Sequence, residues 1–218
     1  MTTIIAEEVL LLAYSEDEGR LLVGSTELDA ALGGSLLAEL AVNGRIDLAG
    51  KRVTVLDPTP LGDEELDGVL ARMAADPKGR KPEWWITRFQ TAKLRKRLLA
   101  RLTDRGVLDE EQRKILGIFP STRYPERDPS VERDIRERVQ GVLAGADPDQ
   151  RVAVLIALLH AAGIDRKAFP GVSKKRVKEI TEGAWAGEAV AKAIAAVNTA
   201  VMTAVTAGII AAGISSSG

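Results

Sequence analysis

The 218-residue sequence contains no cysteine, a single histidine and only 4% aromatic residues. Without cysteine there are no disulfides, no thiolate metal sites and no thiol chemistry. One histidine, His160, excludes a histidine-rich metal site and makes any Ser-His-Asp triad depend on that residue alone. On the run LIALLHAAG it reads as a core or boundary side chain. The sequence also lacks G-x-S-x-G, a Walker A loop, H-E-x-x-H and G-x-G-x-x-G, so no cofactor is expected. Gly33-Gly34-Ser35 sits inside a helical pattern and reads as a close-packing device. Adjacent carboxylates (Glu7-Glu8, Glu64-Glu65, Asp147 and Asp149) read as caps, first-turn acids or loop residues rather than acid–base pairs. The chain is therefore not expected to be an enzyme. Its N-terminus has no basic stretch and meets acids at once, which points away from a secretory signal and toward the cytoplasm.

What is present suits a globular chain: 45% apolar and 28% charged residues, long enough for one domain over 1–218. The net charge of −1 hides an uneven distribution. Residues 1–77 carry 5 basic and 15 acidic side chains, whereas residues 78–114 carry 12 basic and 5 acidic ones. The basic segment is a local field that could meet phosphate on nucleic acid or lipid. Alternatively, Lys93, Arg95, Lys96, Arg97 and Arg101 are the solvated side of one helix.

The pattern predicts a mainly α fold: a single globular helical domain with short β-hairpins and a buried, Ala-rich C-terminal helix. Helices are expected over Glu7–Tyr14, Glu27–Asn43, Gly62–Ala75, Glu83–Phe89, Ala92–Asp104, Glu110–Leu116, Val131–Leu143, Gln150–Ala162 and Ser173–Gly183. Arg45–Asp57 reads as a hairpin, and the proline-rich Gly117–Pro129 as a hairpin-like loop. The stretch from Ala193 to Ile214 has no charge, yet alanine and threonine dominate it, so a buried helix is expected over a membrane span. Three segments, LLAELAVNGRI, LLARLTDRGVL and LIALLHAAGI, share one ending: a helix, a glycine, then an aliphatic residue. Each predicts a left-handed helix cap whose next apolar side chain folds back on the last turn.

Two features suggest binding. Arg133, Arg136 and Arg138 lie on VERDIRERVQ, with Arg133 and Arg136 spaced to share a face. Two guanidinium forks on one face suit a phosphate, although Glu132, Asp134 and Glu137 are available to pair with them. The second is Trp84-Trp85 beside the basic segment: neighbours on a helix diverge by about 100°, so one is expected in the core and the other partly exposed, near Lys93 and Arg97.

The stretches EEVLLLAYSEDEGR, LGGSLLAELAVNGRIDL, LDPTPLGDEELDGVL, LLARLTDRGVLDEE and LGIFPSTRYPERDP, in that order, resemble the Golgi phosphoprotein 3 family in a bacterial, actinobacterial-looking form. The resemblance implies one mostly helical domain that is not an enzyme. It implies a peripheral membrane protein binding anionic lipid head groups, phosphatidylinositol 4-phosphate in eukaryotic relatives, and engaging cytoplasmic tails of membrane enzymes. Arg133 and Arg136 fall on the two basic positions of the family's Q-R-x-I-K-type helix. Arg138, Lys93, Arg97 and Trp84 would be accessory. The family's tryptophan and first arginine fall on Gly24 and Gly33, so both contacts are missing, and its membrane-inserting loop is shortened to Ala144–Arg151. The hairpin Phe119–Tyr124 matches a self-association region and implies a homo-oligomer. The expected function is docking on anionic lipid at the inner face of the membrane. The alternative, a winged-helix-like nucleic-acid binder, rests on the helix–hairpin pattern and the basic segment, and the acidic N-terminal third counts against it.

Overall fold

Leucines at 28, 32, 36, 37 and 40, with alanines and glycines between them, leave α2 (Ser25–Val42) no polar face over its middle, and it is buried from Leu28 through Leu40 except at Asp29. It is the central rod of the computed structural model, which describes residues 3–16, 18–48, 52–76, 78–115, 119–183 and 188–215. Among the described residues the fold is ten helices and two small two-stranded sheets in a single compact domain.

Around α2 pack α1 (Ile5–Leu12), α3 (Glu64–Ala74), α4 (Pro82–Phe89), α5 (Ala92–Asp104) and α7 (Gln150–Ala161). Outside these lie α6 (Pro129–Leu143), the four-residue α8 (Asp165–Ala168) and α9 (Lys174–Thr181). The long α10 (Glu188–Ser215) closes the bundle against α2, α7 and α4. Gly33 and Gly34 are packing residues, as their context suggests. A Cβ on Gly33 would stand 3.0 Å from the Ile86 carbonyl oxygen of α4, and one on Gly34 would strike Val201 of α10.

The three glycine-terminated helices end alike. Gly44, Gly106 and Gly163 have φ of 67°, 73° and 70°. The next amide donates back five residues in each case: Arg45 to Leu40 at 2.8 Å, Val107 to Leu102 at 2.9 Å and Ile164 to Leu159 at 2.8 Å. The preceding glycine amide closes the inner ring, which is the Schellman arrangement. Ile46, Val107 and Ile164 are buried beside these turns.

Two expectations are corrected. Glu110–Leu116 is not a helix: β3 (Glu111–Ile115) pairs antiparallel with β4 (Phe119–Arg123), Glu111 opposite Arg123 and Ile115 opposite Phe119. The prolines that bar a helix downstream leave an extended arm, and the EQRKI stretch pairs with it instead of coiling. Residues 116–118, the tip of the proposed self-association hairpin, lie outside the described residues. The other hairpin is shorter than expected, Ile46–Asp47 (β1) against Thr54–Val55 (β2), with residues 49–51 outside the described set.

The second correction concerns the C-terminal helix. Ile194, Val197, Ala200, Val201 and Ala204 of α10 are buried, but Met202, Ile209 and Ile210 are each half or more exposed. Thr199, Thr203 and Thr206 recur at helical spacing on that same open side. The helix is buried on one face, and α2 takes the central place. Among the described residues no helix is long and apolar enough to cross a membrane.

Candidate functional site

The charge asymmetry of the sequence resolves into long-range pairing between its acidic first third and its basic middle. Arg95 of α5 meets Asp29 of α2 at 3.0 Å. Arg97 holds Glu65 of α3 with both its Nε and its Nη2. Arg101 donates to Glu7 at 2.8 Å and to Asp63, the N-cap of α3, at 2.7 Å. Arg105 adds a second 2.8 Å bond to Glu7. These four arginines, of the twelve basic side chains in residues 78–114, are paired within the chain, which weakens the field on which the nucleic-acid reading rested. Lys93 and Lys96 stay exposed with no ion pair among the described residues.

Glu7 and Glu8, adjacent on α1, are both buried. The Glu8 Oε1 receives Arg138 of α6 at 3.1 Å, the Thr3 hydroxyl at 3.0 Å and Arg151 of α7 at 3.5 Å. Arg151 also reaches Glu39 of α2 at 2.5 Å and the Thr3 carbonyl at 2.7 Å. Glu39 in turn accepts the Ile5 amide at 2.6 Å. Two neighbouring acids on one buried helix thus tie down α5, α6 and α7, a role that a first-turn acid does not announce.

The structure separates the three arginines of α6. Its buried face is Glu132, Ile135, Val139 and Val142. At 100° per residue, Arg136 and Arg138 flank that face on opposite sides, while Arg133 points away from it. Arg133 is exposed, with no ion pair among the described residues. Arg136 is held inside, its side chain only 14% exposed. It contacts Glu132 at 2.6 Å and Glu16 at 2.6 Å, donates to the Ala168 carbonyl at 3.0 Å and lies 5.5 Å over the Phe169 ring. The loop carrying Glu16 is anchored where the Tyr124 amide donates to the Gly19 carbonyl at 3.0 Å. The expected pair of guanidinium forks open to water is therefore not formed: one is open and the other is occupied by acids.

Burial, then a hydrogen bond to Glu126, pushes the Glu132 carboxyl up from its ordinary 4.5 to about 9, against the pull of Arg136. The folded chain keeps a proton that the unfolded chain releases above 4.5. Stability accordingly falls as pH rises through the window between those values. Glu132→Gln, neutral at every pH, is expected to flatten this fall. Thermal melts from about pH 5 to about pH 9 check it; a wild-type curve no steeper than the variant's contradicts it.

Of the adjacent pair Trp84 and Trp85, Trp85 is core, stacked 5.6 Å from Phe89, and Trp84 is 41% exposed beneath Arg80, whose guanidinium lies 4.6 Å from the ring centroid. Gly24 is exposed at the N-cap of α2. Gly33 is buried against the backbone of α4, so no side chain of arginine size fits there. His160 is partly exposed and 2.8 Å from the Oδ2 of Asp165. Among the described residues no group of three or more histidines and acids could hold a metal ion.

The fold and its charge distribution define a mainly helical scaffold held together by an internal ion network. The family description Golgi phosphoprotein 3 (GPP34) matches residues 5–197, and the chain belongs to that family. It is 30% identical over 168 residues to the vacuolar protein sorting-associated protein 74 of Eremothecium gossypii, a match covering 65% of this chain and 49% of that protein. The chain thus spans about half the length of that relative.

Proposed function

We propose that this chain is a non-enzymatic peripheral membrane protein that docks on anionic lipid head groups at the inner face of the membrane. Short cytoplasmic tails of membrane enzymes are its proposed cargo, and a second copy paired on the β3–β4 hairpin its proposed oligomer. Family membership supports the reading, and one local observation carries it: Arg133, on the helix resembling the family's basic helix, faces water with no ion pair among the described residues. Its guanidinium can take a phosphate without dismantling anything. Phosphate at Arg136 would first have to displace Glu16, so Arg136 is the weaker candidate despite its place in the same motif. With Gly24 and Gly33 at the family's other two contact positions, the docking is proposed to read charge rather than one phosphoinositide.

A basic side chain near an anionic surface contributes about 1 kcal/mol, and the attraction dies away within a Debye length. Arg133→Glu, which replaces attraction by repulsion, is expected to weaken binding to anionic vesicles roughly tenfold at low salt. Because the residue is exposed and unpaired, the melting temperature is expected to hold. Vesicle flotation checks this, and unchanged binding by the variant refutes the placement of the phosphate at Arg133.

A further inference from the structure

A cleft of about 600 Å³ opens between α3, α4 and α5, and its lining includes Gly68, Arg72, Arg88, Lys93, Arg97 and Glu65. Arg97 and Glu65 cancel in their forked ion pair. Arg72, Arg88 and Lys93 come from three different helices and are exposed, and none has an ion-pair partner among the described residues. Glu64 is the one remaining acid of the lining. Elsewhere in this fold many arginines are matched to carboxylates across long distances. Three unmatched cations converging on one concavity run against that habit.

Two further observations bear on the same place. Gly68 sits in the middle of α3, where glycine is less favourable than alanine. A Cβ there would meet nothing within 4 Å, so packing does not require the glycine. It leaves that part of the cleft lining without a side chain. Arg72 and Arg88 also line an adjoining groove of about 460 Å³ that ends on the exposed Trp84. A phosphate slot bordered by an exposed indole matches the layering of a membrane interface, where phosphate lies beside the zone that tryptophan prefers.

We propose that the α3–α4–α5 cleft is a second head-group site, in which Arg72, Arg88 and Lys93 take the phosphate of an anionic lipid and Trp84 lies in the interfacial layer beside it. The proposal rests on the membrane-docking reading and adds a contact surface independent of α6. Charge complementarity selects an anionic occupant, and the indole selects a lipid surface over a soluble phosphate.

The test uses the full chain with vesicles of phosphatidylcholine alone or mixed with phosphatidic acid. Arg72→Glu with Arg88→Glu is expected to lower flotation at least about tenfold at low salt. Gly68→Phe, which fills the cleft without touching charge, is expected to lower it as well. Wild-type tryptophan emission is expected to shift to the blue on anionic vesicles, and Trp84→Phe to lose that shift. Wild-type flotation that the cleft variants leave intact and Arg133→Glu abolishes would overturn this site while leaving the docking reading standing. No flotation of the wild type on anionic vesicles at low salt would remove both. A blue shift produced by soluble glycerol phosphate without vesicles would overturn the lipid assignment.

Discussion

Glu7→Gln is expected to lower the melting temperature by roughly 10 °C. The Glu7 side chain is 1% exposed and accepts one bond each from Arg101 and Arg105, both at 2.8 Å. Its other oxygen accepts the Ile4 amide at 3.1 Å at the start of α1. Glutamine keeps the shape and can keep the cap, but it removes the negative charge that two partly buried guanidinium groups share. Breaking a buried pair by deleting one partner costs about 3–5 kcal/mol, because the surviving charge stays desolvated. Asp63 continues to hold Arg101, which puts the loss toward the lower end. A melting temperature within about 2 °C of wild type would show that the pairs are solvent-compensated and not structural.

Arg151→Met is expected to cost a similar ~3 kcal/mol, read as a fall in denaturation midpoint at unchanged slope. Arg151 stands between Glu8 and Glu39, two acids from different buried helices, and also binds the Thr3 carbonyl. Methionine fills the volume but leaves two carboxylates in the interior without the cation between them. Glu8 keeps Arg138 and the Thr3 hydroxyl, and Glu39 keeps the Ile5 amide and Asn43, so the fold should persist in weakened form. Glu39→Gln on the Arg151→Met background is expected to recover part of the loss by removing one orphaned charge. A double variant as unstable as the sum of the two single changes would show that Arg151 and Glu39 are not coupled.

The helices were legible because their boundaries are written locally. Ala92–Asp104 is read from sequence with both ends correct, since Thr91 caps it through the Leu94 amide and Gly106 ends it. The three glycine caps follow from the same short-range chemistry. The β3 strand is not written locally: EQRKI has no strong preference of its own and takes its state from β4. The open side of α10 had a visible signal in Thr199, Thr203 and Thr206, which the absence of charge overshadowed.

The candidate site was less legible than the fold. Composition showed that the acids and bases were segregated along the chain, but not that Glu7, Asp29, Asp63 and Glu65 reach across to α5. Partners 32 to 98 residues apart leave no local periodicity to detect. Arg136 shows both outcomes at once. Its pairing with Glu132 is an ordinary i,i+4 contact readable from the sequence, whereas Glu16 and the Ala168 carbonyl arrive through the tertiary fold. Arg72 and Arg88 gave no sequence signal at all, because a cation is conspicuous only once its neighbours are known to be neutral.

The consequence for function is economy of charge. Thirty basic residues serve a chain of net charge −1, and most arginines of α5 and α6 are committed to holding helices together. What is left for a partner includes Arg133 on α6, Lys96 on α5, and Arg72, Arg88 and Lys93 around the cleft, all exposed and without an ion pair among the described residues. Attraction by such exposed charges is modest, additive and easily screened.

Flotation of the unmodified chain on phosphatidylcholine vesicles with and without anionic lipid, across a salt series, tests this most directly. The expected result is retention on anionic vesicles at low salt, steep loss as salt rises, and none on neutral vesicles. Equal retention on both, or none on either at low salt, would contradict it.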